Sequence, residues 1–132
     1  MNNSTDKLNH FNAKVCLQVL PKLDVSGVSR GTIELSRAIV SSGRRAIIAS
    51  SGGAFTKELS RIGVQHYDLN LYSKSPFSIL MNAVYLSEIV NKEGVSIIHA
   101  RSRAPAWSAY LASKLTKKPL VTTFHGTYGT GL

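Results

Sequence analysis

The chain has 132 residues, of which 16 are Lys or Arg and 7 are Asp or Glu, so its formal net charge is +9. A hydrophobic fraction of 43% predicts a packed domain rather than a disordered chain. The single cysteine, Cys16, excludes an internal disulfide and multi-cysteine zinc sites. The positive charge indicates an anionic partner, and composition alone leaves open whether this is nucleic acid, acidic lipid or a phosphate-bearing small molecule.

Apolar runs alternate with segments of helical periodicity along the chain, after a polar segment at residues 1–13. In chain order we predict strand Lys14–Leu20, helix Val28–Ser42, strand Ala46–Ser50, helix Ala54–Ile62, strand Val64–Leu69, helix Pro76–Lys92, strand Val95–Ala100, helix Ala104–Lys114 and strand Leu120–Phe124. Alternation of this kind implies right-handed crossovers. We therefore predict an α/β fold: a Rossmann-like parallel sheet of about five strands in the order 3-2-1-4-5, with helices on both faces.

Several apolar side chains of the later helices are interpreted as core. They are Phe77, Leu80, Met81 and Val84 on the third helix, with Trp107 and Tyr110 as packing residues on the fourth. The polar first 13 residues lack the apolar run of a signal peptide. The longest apolar stretch, Pro76–Val90, is too short to cross a bilayer. We therefore expect a cytoplasmic protein.

Polar residues suited to ligand binding follow three of the predicted strands. Parallel sheets bind ligands outside the carboxyl ends of their strands, where the strand order reverses. With the order 3-2-1-4-5, this point lies between strands 1 and 4. The loops that meet there contain Ser26 and Gly27 after strand 1, His99, Arg101 and Arg103 around the end of strand 4, and His125 and Gly126 after strand 5.

Each of these groups has a functional and a structural interpretation. A small pair such as Ser26-Gly27 before a helix lets backbone N–H groups approach a phosphate, but it is also an ordinary turn and cap. Arg101 and Arg103 suit phosphate or carboxylate contacts, unless they are solvated surface arginines. A lone histidine such as His125 is often structural. No Ser-His-Asp order and no metal-ligand spacing are evident, so we predict neither a hydrolytic triad nor a metal site.

Four arginines form a further candidate surface. Arg30, Arg37 and Arg44 recur every seven residues, which predicts that they share one face of the first helix. Together with Arg45 they either form a solvated face or contact anionic lipid headgroups.

Three segments resemble signatures of the glycosyltransferase 4 family, whose members have the two-domain GT-B fold. They are LQVLPKLDVSGVSRGTIELSRAIVSSG, HARSRAPAWSAYLAS and PLVTTFHGTYG, and in detail they look most similar to the lipopolysaccharide-core branch. The resemblance spans about Lys14 to Gly129. It departs from the family at Ser26, which replaces a loop glycine, and at Ser29, where a glutamate is common before Arg30.

The resemblance implies transfer of a hexose from a nucleotide-sugar to a glycolipid acceptor, with retention of configuration and without a cofactor or essential metal. It assigns the donor diphosphate loop to Ser26 and Gly27, the catalytic histidine to His125, and acceptor or phosphate contacts to His99, Arg101, Arg103 and Gly126. Residues 14–132 then correspond to a truncated acceptor-side domain, the incomplete N-terminal half of a GT-B fold. We expect it to be inactive without the donor-binding domain, which a separate chain would have to supply.

This interpretation places the chain in the cytoplasm or peripherally on the inner face of the cytoplasmic membrane. The alternative is a non-enzymatic basic module that binds anionic membrane or nucleic acid. No stacking platform of exposed aromatics and no nucleic-acid-binding motif is evident, so we expect no nucleic-acid partner.

Overall fold

Five parallel strands form one sheet in the computed structural model, which describes residues 14–24 and 27–123. The strands are β1 (Val15–Val19), β2 (Arg45–Ser50), β3 (Gln65–Asp68), β4 (Ile97–Arg101) and β5 (Leu120–Thr123). They alternate with the helices α1 (Gly27–Ser41), α2 (Thr56–Arg61), α3 (Pro76–Glu93) and α4 (Arg103–Thr116). The strand order is β3-β2-β1-β4-β5, which confirms the predicted fold class and topology.

Helices cover both faces of this sheet because strands are added on one side of β1 up to β3 and on the other side of β1 after it. The steps from β1 to β3 run towards one edge and those from β3 to β5 towards the other, so right-handed crossovers place α1 and α2 opposite α3 and α4. Each face has its own core. One contains Leu17, Leu86 and Ala109, and the other contains Ile33 and Ile48.

The structure corrects the bounds of two elements, β4 and α4. β4 begins later than predicted and continues through Arg101, because His99 and Arg101 are in register with Val121 and Thr123 of β5. α4 continues to Thr116 instead of ending at Lys114, and Lys117 then takes the left-handed conformation with φ 61°. His99 therefore lies within a strand, and Arg101 is the last residue of that strand.

The core prediction for the third and fourth helices was wrong for most of the residues involved. Phe77, Leu80 and Val84 of α3 are exposed, as are Trp107 and Tyr110 of α4, whereas Met81 is partly buried. α3 buries the opposite face, with Ala83, Leu86, Ile89 and Val90. α4 packs through small residues, among them Ser108, Ala109 and Ala112. Both faces of α3 carry apolar residues, so apolar periodicity did not identify the buried one.

Candidate functional site

Two helices begin at the carboxyl edge of the sheet where the strand order reverses. β1 and β4 are neighbours there, with Val19 paired to Ala100. α1 begins at Gly27 and α4 begins at Arg103, directly after β4. Because helix N-termini carry partial positive charge, this edge favours anionic groups. The predicted convergence of the loops after strands 1 and 4 is therefore found in the described residues.

Gly27 leaves open space in front of the first turn of α1. A Cβ atom placed on Gly27 would meet no other atom within 4 Å. The glycine is therefore not required for packing, and a ligand has room to approach the backbone here. Ser26, its predicted partner in this loop, lies outside the described residues.

The β1–α1 loop is anchored to α1 by Ser29. The buried Ser29 hydroxyl lies 3.1 Å from the carbonyl oxygen of Lys22 and 3.3 Å from Oδ1 of Asp24, and its single proton is shared between these two acceptors. Asp24 thus places a carboxylate close to the N-terminus of α1, where an anionic ligand would have to share the space with it.

The β2–α2 loop supports the β1–α1 loop from the side. The N–H of Leu23 donates to the carbonyl of Gly52 at 2.6 Å, and the N–H of Phe55 donates to the carbonyl of Leu23 at 3.1 Å. At Gly53, with φ +139°, a Cβ atom would lie only 2.0 Å from the Leu23 carbonyl oxygen. Gly53 thus permits a close contact between the two loops that any residue with a Cβ atom would prevent.

His99 links the last two strands. One of its ring nitrogens, Nε2, lies 2.6 Å from Oγ1 of Thr123, the last residue of β5. The imidazole is half-buried. This contact orders the end of β5, the strand that leads towards His125.

Arg101 is buried, which excludes the solvated-surface interpretation for this residue. Its Nε donates to Oε1 of the fully buried Gln18 at 3.0 Å. The amide nitrogen of Gln18 in turn donates to Oγ of Ser36 at 2.7 Å and to the carbonyl of Thr32 at 3.2 Å. Burial lowers the pKa of Arg101, although a guanidinium stays charged at neutral pH. Arg101 thus connects β4 to β1 and, through Gln18, to α1.

Ser102 joins the two arginines in a conformation that L-residues rarely adopt, with φ 103° and ψ 157°. Such strain costs about 1–3 kcal/mol and often occurs at functional sites. The turn directs Arg103 to an exposed position at the start of α4. There Arg103 lines an open apolar cavity of about 620 Å³ with Trp107, Leu120 and Thr122. Arg103 is thus accessible to a solute.

The predicted catalytic residue His125 and the predicted acceptor or phosphate contact Gly126 both lie outside the described residues. Within residues 14–24 and 27–123, no cluster of three or more His, Cys, Asp or Glu side chains is placed to hold a metal ion. In the same part of the chain, no helix is long and apolar enough to cross a membrane.

The four arginines of the further candidate surface do not lie on one face in the structure. Arg44 follows the end of α1 and Arg45 opens β2, so the prediction of one helical face holds only for Arg30 and Arg37. Arg45 donates to the Glu93 carboxylate at 2.8 Å at the amino edge of the sheet.

The two arginines that share a face of α1 interact with α2 and its neighbouring loop. Arg37 lies 4.0 Å from each of two carboxylates, Glu34 and Glu58. Arg30 lies 5.7 Å from the ring centre of Phe55. The two carboxylates offset the positive charge of Arg37, so this face of α1 offers less net positive charge to a lipid surface.

Sequence reasoning missed one polar pair at the carboxyl end of β2. Oγ of Ser50 lies 2.7 Å from Nε2 of His66 and accepts a hydrogen bond from the N–H of Gly52. Ser50 is fully buried, so this pair supports the Gly52-Gly53 loop and is not an accessible nucleophile. The two residues are 16 positions apart, so only the register between β2 and β3 could have indicated from the sequence that they are in contact.

Comparison with known proteins identifies a family. The model of Glycosyltransferase Family 4 matches residues 25–131. A glycosyltransferase from Rickettsia africae ESF-5 is 47% identical and superposes with a TM-score of 0.79 over 89% of this chain and 31% of its own length. No curated protein sequence matches significantly.

Two more distant structures share the fold alone. MurG of Acinetobacter baumannii is 13% identical, with a TM-score of 0.68 over 84% of this chain and 35% of its own. A C-terminal domain of the PF1911 hydrogenase of Pyrococcus furiosus is 10% identical, with a TM-score of 0.61 over 83% of this chain and 91% of its own. The chain spans about a third of the length of the Rickettsia africae and Acinetobacter baumannii structures. Because the family model matches most of this chain, the chain belongs to glycosyltransferase family 4.

Proposed function

We propose that the chain carries the acceptor-side part of a glycosyltransferase active site. The complete enzyme transfers a hexose from a nucleotide-sugar to a cell-envelope glycolipid of the lipopolysaccharide-core type, with retention of configuration. The family match over residues 25–131 carries the proposal. It is supported by the meeting of the β1–α1 and β4–α4 turns at one edge of the sheet.

The open first turn of α1 suits the donor diphosphate. The space in front of Gly27 lets backbone N–H groups approach phosphate oxygens. In our proposal Ser26 and Gly27 form this loop, while His125 and Gly126 face the reacting sugar. Phosphoryl leaving groups require placed positive charge, and the donor-binding domain would supply the remainder of it.

The β4–α4 turn suits a phosphorylated acceptor. Arg103 is exposed at a helix N-terminus, and its planar guanidinium can donate two parallel hydrogen bonds to phosphate or carboxylate. His99 and Arg101 are the other proposed acceptor-side residues. Because Arg101 is buried against Gln18, we propose that it acts by holding this turn in place.

The proposed function is tested with the purified chain, alone and mixed with the remaining part of the Rickettsia africae glycosyltransferase. Radiolabelled UDP-, GDP- and ADP-hexoses serve as donors, and bacterial glycolipid in detergent serves as acceptor. We expect transfer only by the mixture, and loss of transfer in His125→Ala and Arg103→Gln. Arg61→Gln, at the opposite end of a helix from the carboxyl edge, is the matched arginine control.

Transfer by the chain alone would contradict the half-site assignment. Undiminished transfer by the His125→Ala mixture would contradict the role of that histidine. If both proteins of the mixture are folded and none of the three donors supports transfer, the proposed reaction is contradicted. The proposal also places the enzyme on the inner face of the cytoplasmic membrane, where a glycolipid acceptor is accessible.

A further inference from the structure

Gln18 is a fully buried glutamine in β1, between Leu17 and Val19. A glutamine amide has two donor hydrogens and one acceptor oxygen, and it costs free energy to leave these groups without partners in the interior. An apolar residue at this position would avoid that cost. The presence of the amide is therefore explained by the groups that it binds.

The amide of Gln18 binds one residue of β4 and two residues of α1. Its Oε1 accepts a hydrogen bond from Nε of Arg101 at 3.0 Å. Its Nε2 donates to Oγ of Ser36 at 2.7 Å and to the carbonyl of Thr32 at 3.2 Å. All four residues are buried, and the most exposed of them is Arg101 at 5%. The amide thus uses both its oxygen and its nitrogen, and it connects two elements that begin or end at the candidate site.

The strand register explains why these groups meet. Gln18 lies opposite His99 in the pairing of β1 with β4, and Arg101 is two residues further along β4. Because side chains alternate between the two faces of a strand, Gln18, His99 and Arg101 lie on the same face of the sheet. This is the face that α1 covers, since Gln18 reaches Thr32 and Ser36 there.

The same network reaches the first turn of α1, where the helix favours anionic ligands. Oγ1 of Thr32 donates to the carbonyl of Val28 at 2.7 Å, and Val28 follows Gly27 at the start of the helix. A Cβ atom on Gly31 would lie 3.6 Å from Nη1 of Arg101, so the guanidinium lies against the next turn of α1. The end of β4 and the start of α1 are therefore connected through one buried amide.

We propose that Gln18 is a positioning residue for anion binding at the carboxyl edge of the sheet. It fixes the Arg101 guanidinium between β4 and α1, and it thereby orients the turn that carries Ser102 and Arg103. A guanidinium stays charged at neutral pH, and a charge that is held in place away from water acts strongly on a nearby ligand. This role rests on the proposed function, since the anion is the phosphorylated acceptor assigned to that turn.

Binding of a deacylated, phosphorylated core oligosaccharide to the full chain tests this role. Gln18→Met keeps an unbranched side chain of similar length but removes the acceptor of Arg101 Nε. We expect at least about fivefold weaker binding, which corresponds to the loss of one hydrogen bond. Arg101→Met should weaken binding at least as much. The double variant should bind like Arg101→Met alone, because Gln18 acts through the guanidinium that this variant lacks.

Stability in urea separates a positioning role from a purely structural one. Gln18→Met removes a partner of a buried charged group, so it should unfold at a lower urea concentration than the parent. The double variant of Gln18 and Arg101 replaces both partners by apolar side chains and should regain much of this stability. If Gln18 only stabilised the fold, affinity would return together with stability. Under the proposal, the affinity of the double variant remains low.

Ser36→Ala is the matched control at the other end of the same amide. It removes one acceptor of Gln18 Nε2 but leaves the contact with Arg101, so it should lower stability while binding stays within about twofold of the parent. Side-chain ¹⁵N spectra report that contact directly. The Nε–H of Arg101 should exchange slowly in the parent and in Ser36→Ala, and rapidly in Gln18→Met. Circular dichroism verifies that each variant is folded.

Three binding results would overturn the proposal. They are parent-like affinity of Gln18→Met, recovery of affinity in the double variant, and an equal loss of affinity in Ser36→Ala. Unchanged amide shifts of Ser102 and Arg103 in Gln18→Met would also contradict it, whether or not the oligosaccharide binds. The proposed function fails separately. Absence of sugar transfer by the mixture contradicts the proposed reaction alone, because none of these affinities and shifts depends on transfer.

Discussion

Replacement of Gly53 by alanine tests whether the two loops of the candidate site depend on each other. An ideal Cβ atom at Gly53 lies 2.0 Å from the carbonyl oxygen of Leu23, 2.3 Å from its carbonyl carbon and 3.0 Å from the nitrogen of Asp24. Non-bonded carbon contacts are optimal near about 3.5–4.0 Å. The loops must therefore separate by more than about 1 Å, because backbone atoms cannot rotate away as a flexible side chain would.

The cost follows from the contacts that such a shift breaks. Two backbone hydrogen bonds connect the loops next to Gly53, from Leu23 to Gly52 and from Phe55 to Leu23, and each contributes about 1 kcal/mol. The φ of +139° adds about 1–3 kcal/mol of strain for any L-residue. We expect the free energy of unfolding to fall by about 3–5 kcal/mol, which lowers Tm by roughly 10–18 °C for a domain of this size.

Thermal unfolding by circular dichroism measures this effect in a matched series. Gly52→Ala is in the same loop with φ +96° but meets no atom within 4 Å, so it should lose only about 1 kcal/mol. Gly27→Ala meets no atom and has no positive φ, so its stability should change by less than about 0.5 kcal/mol. If Gly53→Ala unfolds at the same temperature as Gly52→Ala, the close contact between the loops does not exist in solution.

Three further predictions concern strain and protonation. Ser102→Gly should raise stability by about 1 kcal/mol in urea unfolding, because glycine tolerates φ 103°; a loss of stability would contradict the strained turn. Hydrogen bonds from Tyr67 and Arg45 lower the pKa of Glu93, so its stabilisation is complete above the pKa of the unfolded chain and is lost as pH falls through the folded value. Glu93→Gln should therefore cost roughly 1–2 kcal/mol at pH 7 and almost nothing in strong acid, and an equal cost at both pH values would refute this. Partial burial lowers the pKa of His66, so stability should fall as pH drops below the ordinary histidine pKa of about 6.5; unchanged acid sensitivity in His66→Gln would count against a neutral, half-buried ring.

The strand order was predictable from sequence because it depends on local and general rules. Most of the strands contain a short apolar run, each crossover contains a helix, and right-handed crossovers admit few topologies. The point between β1 and β4 at which the strand order reverses then follows without knowledge of any side-chain contact. Gly27 and Arg103 were placed at the carboxyl edge on this basis, and the structure confirms that placement.

Burial within the site was less predictable because it depends on distant partners. Arg101 is buried since Gln18, 83 positions earlier, accepts its hydrogen bond. Strand β4 continues to Arg101 because β5 lies alongside it, with Thr123 opposite Arg101. Neither partner can be recognised from the residues that surround Arg101 in sequence.

The buried face of α3 was also hidden from sequence analysis. Both of its faces carry large apolar residues, so the hydrophobic period matches either orientation. The structure selects the face with Leu86 and Val90 for the core and leaves Phe77 and Leu80 in solvent. An excess of apolar residues on a helix is therefore the sequence signal that such exposed residues provide.

The central claim is that the ligand site lies at the carboxyl edge between β1 and β4. The most direct test is a titration of the ¹⁵N-labelled chain with a deacylated, phosphorylated core oligosaccharide, followed by amide chemical shifts. We expect the shifts to concentrate at Gly27, Ser102 and Arg103 and to decrease with distance from them. Shifts confined to the amino edge, around Gly43, Ser96 and Lys118, would contradict it.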